Sequence, residues 1–426
     1  MTQKRNRIEA FEYVRGIRAA GPAALQQVGV LKVGCRDARR VLVLLGGREG
    51  AAGVFRHTAR ALAGAANDLQ VWAVDRREQN FADLSGFAQT PEQATEYYLG
   101  GHYQAQDAAR STFAAQWGLE VLLEDLRRVV RAAADGGRRD VVLGGVSVGG
   151  SEALLYAAWD FDGIPGYRDL AGLAVADGGV RNAYTGAGME FDLSLEAAKG
   201  WPAAIGAGAV FENFTSTTTA LGDRPESASV WFQLAARHAL ADPDGPAALA
   251  DRLPNAFRTD DKLTNVGLFG GLVDAAHAHP SYSVQAGHLD DGGAWADQGP
   301  TRLRTVAEAF AGPRPGAWLW YTLSRVMLDL IVAIDFEETV LTRLLGLRLA
   351  HAETIDVPLY AFQCGLTNGT TGQAAAAITA AGRIPEVSLF SDPALTHQDV
   401  VYAQWENNRF LRTVSQFLRE LSRRES

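Results

Sequence analysis

The sequence predicts an α/β protein, a doubly wound and mostly parallel sheet carrying a large, mainly helical insertion. Three observations predict it. Short, uninterrupted apolar runs alternate with stretches of helical periodicity, the rhythm of parallel βαβ units. One of those runs, Val141-Val-Leu143, meets the turn Gly145-Val-Ser-Val-Gly149, after which an Ala/Leu-rich helical segment begins. The rhythm then stops near residue 181 and resumes at Val357-Pro-Leu-Tyr-Ala-Phe362.

Taken in order, residues 8–35 alternate apolar and polar (Ile8, Phe11, Tyr13, then Val28, Val30, Leu31, Val33), which predicts an antiparallel pair at a sheet edge. Arg40-Val-Leu-Val-Leu-Leu45 is a strand buried on both faces, ending in Gly46-Gly47-Arg48-Glu49-Gly50. A helical stretch from Val54 to Leu62 leads to a second such strand, Leu69–Val74, followed by Asp75-Arg76-Arg77. Leu119, Leu122, Leu123, Leu126, Val129 and Val130 recur at helical spacing and deliver the chain to the Ser147 strand. Leu173–Ala176 gives a further strand, ending in Asp177-Gly-Gly179. Residues 181–352 hold helical patches, polar connectors and five of the nine tryptophans. Within them Trp318 to Leu349 reads as a helix or helix pair, with Leu323, Val326, Met327, Leu330 and Ile334 on one face. After Val357–Phe362 come a strand at Val387–Phe390 and a last helix from Val400 to Leu421. The simplest organisation is a sheet domain of 1–180 and 353–426, interrupted by a cap of 181–352.

Composition bounds the function. A chain of 426 residues, 47% hydrophobic and 21% charged, has ample core. A net charge of −9 argues against a nucleic-acid groove, which needs clustered Lys and Arg. Cys35 and Cys364 match no zinc spacing and are expected as free buried thiols. The N-terminus is charged and lacks an apolar h-region, so a cytoplasmic location is expected, with a secreted form whose signal has been removed as the alternative. No integral membrane association, metal or cofactor is expected, and the oligomeric state is left open.

In a strand–turn–helix setting, G-x-S-x-G builds a nucleophile elbow: the turn is so tight that small residues must flank the serine. A serine hydroxyl is a poor nucleophile and needs a base within reach, itself oriented by a carboxylate. The elbow, the Gly46–Gly50 loop, Asp75 and His397 together resemble the α/β-hydrolase superfamily, and within it the serine esterases and lipases with a large cap. The resemblance implies a chain order of serine, acid, histidine. His397, the last of eight histidines, lies between the final strand and the final helix and is the candidate base. Its rival is His102, in a connecting loop after Gly100-Gly101. The commoner acid position follows Val357–Phe362, where the chain reads Gln363-Cys-Gly-Leu-Thr-Asn-Gly369 with no carboxylate. Asn368 there can orient an imidazole but supplies no charge. The alternative position, used by some lipases, is the end of the preceding strand, and Asp177 stands there; Asp160, Asp162 and Asp335 are outsiders. The oxyanion hole implied by the resemblance takes the N–H of Val148 and one from the loop after the first buried strand, with Arg48 first and Glu49 next. The resemblance also implies a structural rather than catalytic role for Asp75, as the loop aspartate after the second buried strand.

These roles imply a cofactor-free hydrolase of carboxylic esters acting through an acyl-enzyme on Ser147. Amidase, polyester hydrolase or acyltransferase chemistry on the same groups is the alternative, and a non-catalytic binding protein on the same fold is the alternative of another class. Dehalogenase or epoxide hydrolase chemistry is disfavoured, because it needs a carboxylate where Ser147 stands. Trp201, Phe211, Phe214, Trp231, Phe232, Trp318, Trp320 and Tyr321 supply cap core and, in part, an apolar wall that suits hydrophobic esters.

Overall fold

The computed structural model describes residues 7–254 and 262–423. The charged residues 1–6, part of the stretch read above for a leader, lie outside them. Eight strands form one sheet: β1 (Arg7–Arg15), β2 (Gln27–Cys35), β3 (Arg40–Leu45), β4 (Leu69–Val74), β5 (Asp140–Val146), β6 (Gly172–Ala176), β7 (Leu359–Gln363) and β8 (Val387–Ser391). Their spatial order is β1-β2-β4-β3-β5-β6-β7-β8. β1 pairs antiparallel with β2, and β2 with β4; every later pairing is parallel. Every residue of β3, β4 and β6 is buried, Arg40 and Gln70 included, as mostly apolar runs require when helices cover both faces. Helix α1 (Arg56–Ala65) packs against β2, β4 and the C-terminal helix, while α2 (Leu119–Ala134) and α3 (Val148–Ala158) pack against β5.

Three expected elements differ in extent. The first helix is entered through a 3-10 turn, Ala52–Phe55, before α1 begins. Trp318 to Leu349 opens in extended form and holds two shorter helices, Ser324–Ala333 and Val340–Leu345. The opening is extended because its backbone is used elsewhere: Leu319 N–H donates to Glu49 O at 2.6 Å, and Leu323 pairs with Phe211. Phe336, at φ 61°, separates the two helices. The last helix is likewise divided into Asp399–Tyr402 and Arg409–Arg423. Buried Asn408 marks the break, accepting from Leu411 N–H at 3.2 Å while its amide donates to Val400 O at 3.0 Å.

Between β6 and β7, the described residues of 181–352 form helices at Leu195–Gly206, Phe214–Thr218, Ser227–Ala241, Asn265–Val273 and Leu303–Phe310 besides the two above, with two short antiparallel pairs. Aromatic packing binds them together: Trp318 lies 4.5 Å from Phe232 and 5.0 Å from Phe310, centroid to centroid. No helix among the described residues is long and apolar enough to cross a membrane.

Candidate active site

β5 runs directly into Ser147, whose φ of 56° and ψ of −129° are strained for a residue with a side chain. Such strain costs about 1–3 kcal/mol and persists only where the surroundings enforce it. Here they do. Ser147 N–H donates to Ala176 O at 2.9 Å, and Gly150 N–H donates to Ser147 O at 2.8 Å. A Cβ on Gly145 would overlap the Gly149 carbonyl, and one on Gly149 would overlap the Leu45 carbonyl, so the elbow cannot close around larger residues.

One strand further along the sheet, β6 ends at Ala176, and Asp177 N–H donates to Phe362 O of β7 at 2.7 Å. That bond turns the Asp177 carboxylate, fully buried, toward the loop that follows β7. Its Oδ1 accepts from Cys364 N–H at 3.0 Å and from Thr367 Oγ1 at 2.7 Å, and its Oδ2 from the Cys364 thiol. His397 Nδ1 lies 2.6 Å from the same Oδ2. Burial alone would raise the Asp177 carboxyl, but the hydrogen bond and charge of His397, with Cys364 and Thr367, outweigh it and hold the group below the ordinary aspartate range. Burial, and then the adjacent carboxylate, push the Cys364 thiol well up, so it stays a protonated donor. Both cysteines are unpaired and buried. Asp177, Cys364 and His397 also place ligand-type atoms within 4.8 Å of one another, and these hydrogen bonds account for that proximity.

The histidine loop is pinned by a second buried aspartate. Asp399 Oδ2 accepts from Thr396 N–H at 3.0 Å and Thr396 Oγ1 at 2.8 Å, while Oδ1 accepts from Gln285 N–H at 3.0 Å and Thr301 Oγ1 at 2.6 Å. His397 is thereby fixed on both sides, by Asp177 at its ring and by Asp399 at its backbone neighbours.

The Gly46–Gly50 loop lies against the elbow: a Cβ on Gly47 would sit 3.2 Å from Ser147 Cβ and 3.7 Å from Oγ. Buried Arg76 shapes this loop. Its Nη1 donates to the carbonyls of Gly47 at 3.0 Å and Arg48 at 3.3 Å, its Nη2 to Gly46 O at 3.0 Å, and its Nε to Glu152 Oε1 at 2.9 Å. Drawing the carbonyls to one side leaves the amides on the other. Among the described residues, neither the Arg48 N–H nor the Val148 N–H donates a hydrogen bond. Asp75, also buried, accepts from Ala52 N–H at 2.6 Å. Its carboxyl is pushed up to about 7 by burial, only partly opposed by that bond.

Ser147, Val148, Arg48 and His397 all line one cavity of about 360 Å³, within the range that holds a small ligand. Ser147 Oγ and His397 Nε2 are not hydrogen-bonded to each other in this structure, and catalytic bonds are often loose until a ligand binds. Of the eight aromatics expected in the cap, Phe214 and Trp318 reach the cavity; Trp231, Phe232, Trp320 and Tyr321 are core. His102 is exposed, 4.0 Å from Glu96, and away from the cavity. Asn368 and Asp335 are exposed, and Asp160 and Asp162 lie within a short hairpin, Asp160 in its first strand and Asp162 in its turn. Sequence reasoning missed Thr367, Asp399, Arg76 and the donor role of Cys364. A signal existed for two of them: Cys364 and Thr367 fill the stretch where a carboxylate is usual, with donors instead.

Strand order, elbow and the placement of the insertion after β6 define the α/β-hydrolase fold. Among solved structures, a protein from Sulfolobus solfataricus provisionally assigned as a lipase is similar at 16% identity and a TM-score of 0.54, covering 97% of this chain and 94% of that one. A soluble variant of monoglyceride lipase from Saccharomyces cerevisiae (10% identity, TM-score 0.46, 97% and 95% covered) and epoxide hydrolase A from Mycobacterium thermoresistibile (15%, 0.44, 97% and 98%) are also similar. No protein-family model and no curated protein sequence matches the chain.

Proposed function

We propose that this protein is a serine hydrolase of carboxylic esters with Ser147, His397 and Asp177 as its catalytic triad. The observation that carries the reading is the 2.6 Å contact of His397 Nδ1 with buried Asp177, made at the rim of the cavity onto which the Ser147 elbow opens. With Nδ1–H committed to the carboxylate, Nε2 is the free base. It takes the Ser147 proton as Oγ attacks the acyl carbon. The N–H groups of Val148, at the start of α3, and of Arg48 stabilise the oxyanion. Asp177 stabilises the imidazolium, which then protonates the departing alcohol. Water repeats the sequence on the acyl-enzyme and releases the acid. Residues 181–352 act as a cap whose Met327, Leu330, Ile331 and Ile334, with Leu366 of the sheet domain, offer an apolar wall suited to hydrophobic esters. Amide cleavage or acyl transfer would use the same groups with another leaving group or acceptor.

The test is hydrolysis of p-nitrophenyl esters of increasing acyl length by wild type and Ser147→Ala, with fluorophosphonate labelling in parallel. The substitution is expected to lower kcat by about 10⁶ and to abolish labelling. A wild-type protein that neither turns over esters nor labels at Ser147 would instead be a binding protein on this fold.

A further inference from the structure

The cavity wall carries a buried acid that the ester mechanism does not use. Glu49 follows Arg48 in the loop after β3 and is 8% exposed, yet it lines the cavity. Its Oε1 is occupied: the Thr215 hydroxyl donates to it, and the Arg48 guanidinium lies 3.6 Å away. Thr215 is held in turn by Tyr282 Oη at 2.9 Å, and Arg48 is held by Glu212 and by the Phe214 ring, 4.2 Å from its guanidinium carbon. The carboxyl is therefore fixed in rotation. Its second oxygen, Oε2, accepts no hydrogen bond among the described residues, while the side chain keeps 10% of its surface accessible. Oε2 therefore keeps acceptor capacity free for a ligand, and Glu49 lines the cavity that also holds Ser147.

Resting on the ester-hydrolase reading, we propose that Glu49 is a specificity residue whose Oε2 binds a hydrogen-bond donor, a hydroxyl or an ammonium, carried by the ester held at Ser147. The cavity is then divided. Tyr184, Met189 and Ile334 form an apolar cluster that receives one arm of the substrate, and Glu49 with Tyr282 and Arg48 receives the arm bearing the donor. Burial raises the Glu49 carboxyl above the ordinary glutamate range, with Arg48 opposing. A neutral acid still accepts from a hydroxyl, and an arriving ammonium favours its ionised form.

The experiment compares esters matched in length that end in a methyl, a hydroxyl or an ammonium group, placed on the acyl or on the alcohol arm. kcat/KM is measured for wild type, Glu49→Gln and Glu49→Leu. Wild type is expected to prefer a donor-bearing ester over its methyl counterpart by at least tenfold, on one arm. Glu49→Leu should lose that preference for both donors, and Glu49→Gln should keep it for the hydroxyl and lose it for the ammonium. The ratio is read within each protein, so a general loss of rate or stability does not mimic the result. Equal rates for donor and methyl esters on both arms in wild type, or a preference unchanged in Glu49→Leu, would overturn the proposal while leaving the ester-hydrolase reading standing. Failure of wild type to cleave any ester would overturn both.

Discussion

Replacing Asp177 by asparagine separates an orienting carboxylate from a merely structural one. Four donors converge on Asp177: His397 Nδ1, the Cys364 N–H and thiol, and the Thr367 hydroxyl. An ionised carboxylate has about four acceptor sites for them, whereas an amide has one oxygen with two, and its nitrogen brings two further donors. At least two of the four must therefore lose their acceptor. The thiol and hydroxyl can rotate to accept from the new amide; Cys364 N–H and the imidazole cannot do so without change. At about 1–3 kcal/mol for each buried donor left unpaired, one or two such losses predict a destabilisation of about 1–6 kcal/mol. The effect on rate is larger. If the amide nitrogen faces the imidazole, Nδ1 must accept, the proton moves to Nε2, and the base that Ser147 needs is gone. A fall in kcat of about 10⁴ is expected, with the elbow still intact. The assay is kcat on a p-nitrophenyl ester, with urea unfolding to verify that the variant remains folded. A folded Asp177→Asn protein retaining kcat within tenfold of wild type would remove Asp177 from the triad and return the acid to the unassigned carboxylates.

Two further perturbations probe the groups around the site. Arg76→Gln leaves Glu152 buried and unpaired and releases the loop carbonyls. It is expected to cost about 3–5 kcal/mol in urea unfolding, with kcat lower by about 10²–10³ as for a lost oxyanion donor; Arg76→Met combined with Glu152→Leu should recover stability but not kcat, and wild-type kcat in that double variant would refute the role given to Arg76. Asp75→Asn tests the buried loop aspartate through pH. Its folded pKa of about 7 lies above the ordinary value near 3.9, so the native state binds the extra proton between those values. The Asp75 contribution to stability is therefore fully present below about pH 4 and lost as pH rises to about 7. The asparagine keeps an acceptor for Ala52 N–H and has no such loss, so variant stability relative to wild type should rise by up to about 4 kcal/mol from pH 4 to pH 8. Parallel unfolding curves across that range would show that burial does not perturb Asp75.

What the sequence showed was what local pattern encodes. β3 and β4 were legible to the residue because short apolar runs, Val41–Leu45 and Leu69–Val74 with the single polar Gln70, ended by glycine or by charge, have few other uses in a globular chain. Ser147 was legible because the elbow is a steric problem solved within five consecutive residues. The long helices were legible as existing but not in where they stop. No local signal ends a helix at Tyr402: the break comes from Asn408, whose partners lie on both sides of it, and from residues 403–404, whose backbone is shared with the segment near Thr301. Thr215 and Tyr282 beside Glu49, and Asp399 behind His397, depend on contacts between residues more than 60 positions apart. Residue type alone does not distinguish them from ordinary core or loop polar groups.

The vacant acid position after β7 is the point where pattern and structure meet. A carboxylate missing from Gln363–Gly369 reads, from sequence alone, as the strongest argument for a chain that has lost catalysis. The three-dimensional arrangement gives that stretch another role. β6 and β7 are adjacent and parallel, so the ends of both strands reach the same rim. A carboxylate on either can face His397, and the other strand's loop must then satisfy the carboxylate's remaining lone pairs, since burying an ion without them costs several kcal/mol. Asp177 occupies one end, and Cys364 and Thr367 supply donors from the other. A second carboxylate at Cys364 or Thr367 would place two like charges beside one imidazole and raise the pKa of one of them. Donors after β7 are thus what an acid after β6 requires, and the apparent gap in the motif favours Asp177 as the partner of His397.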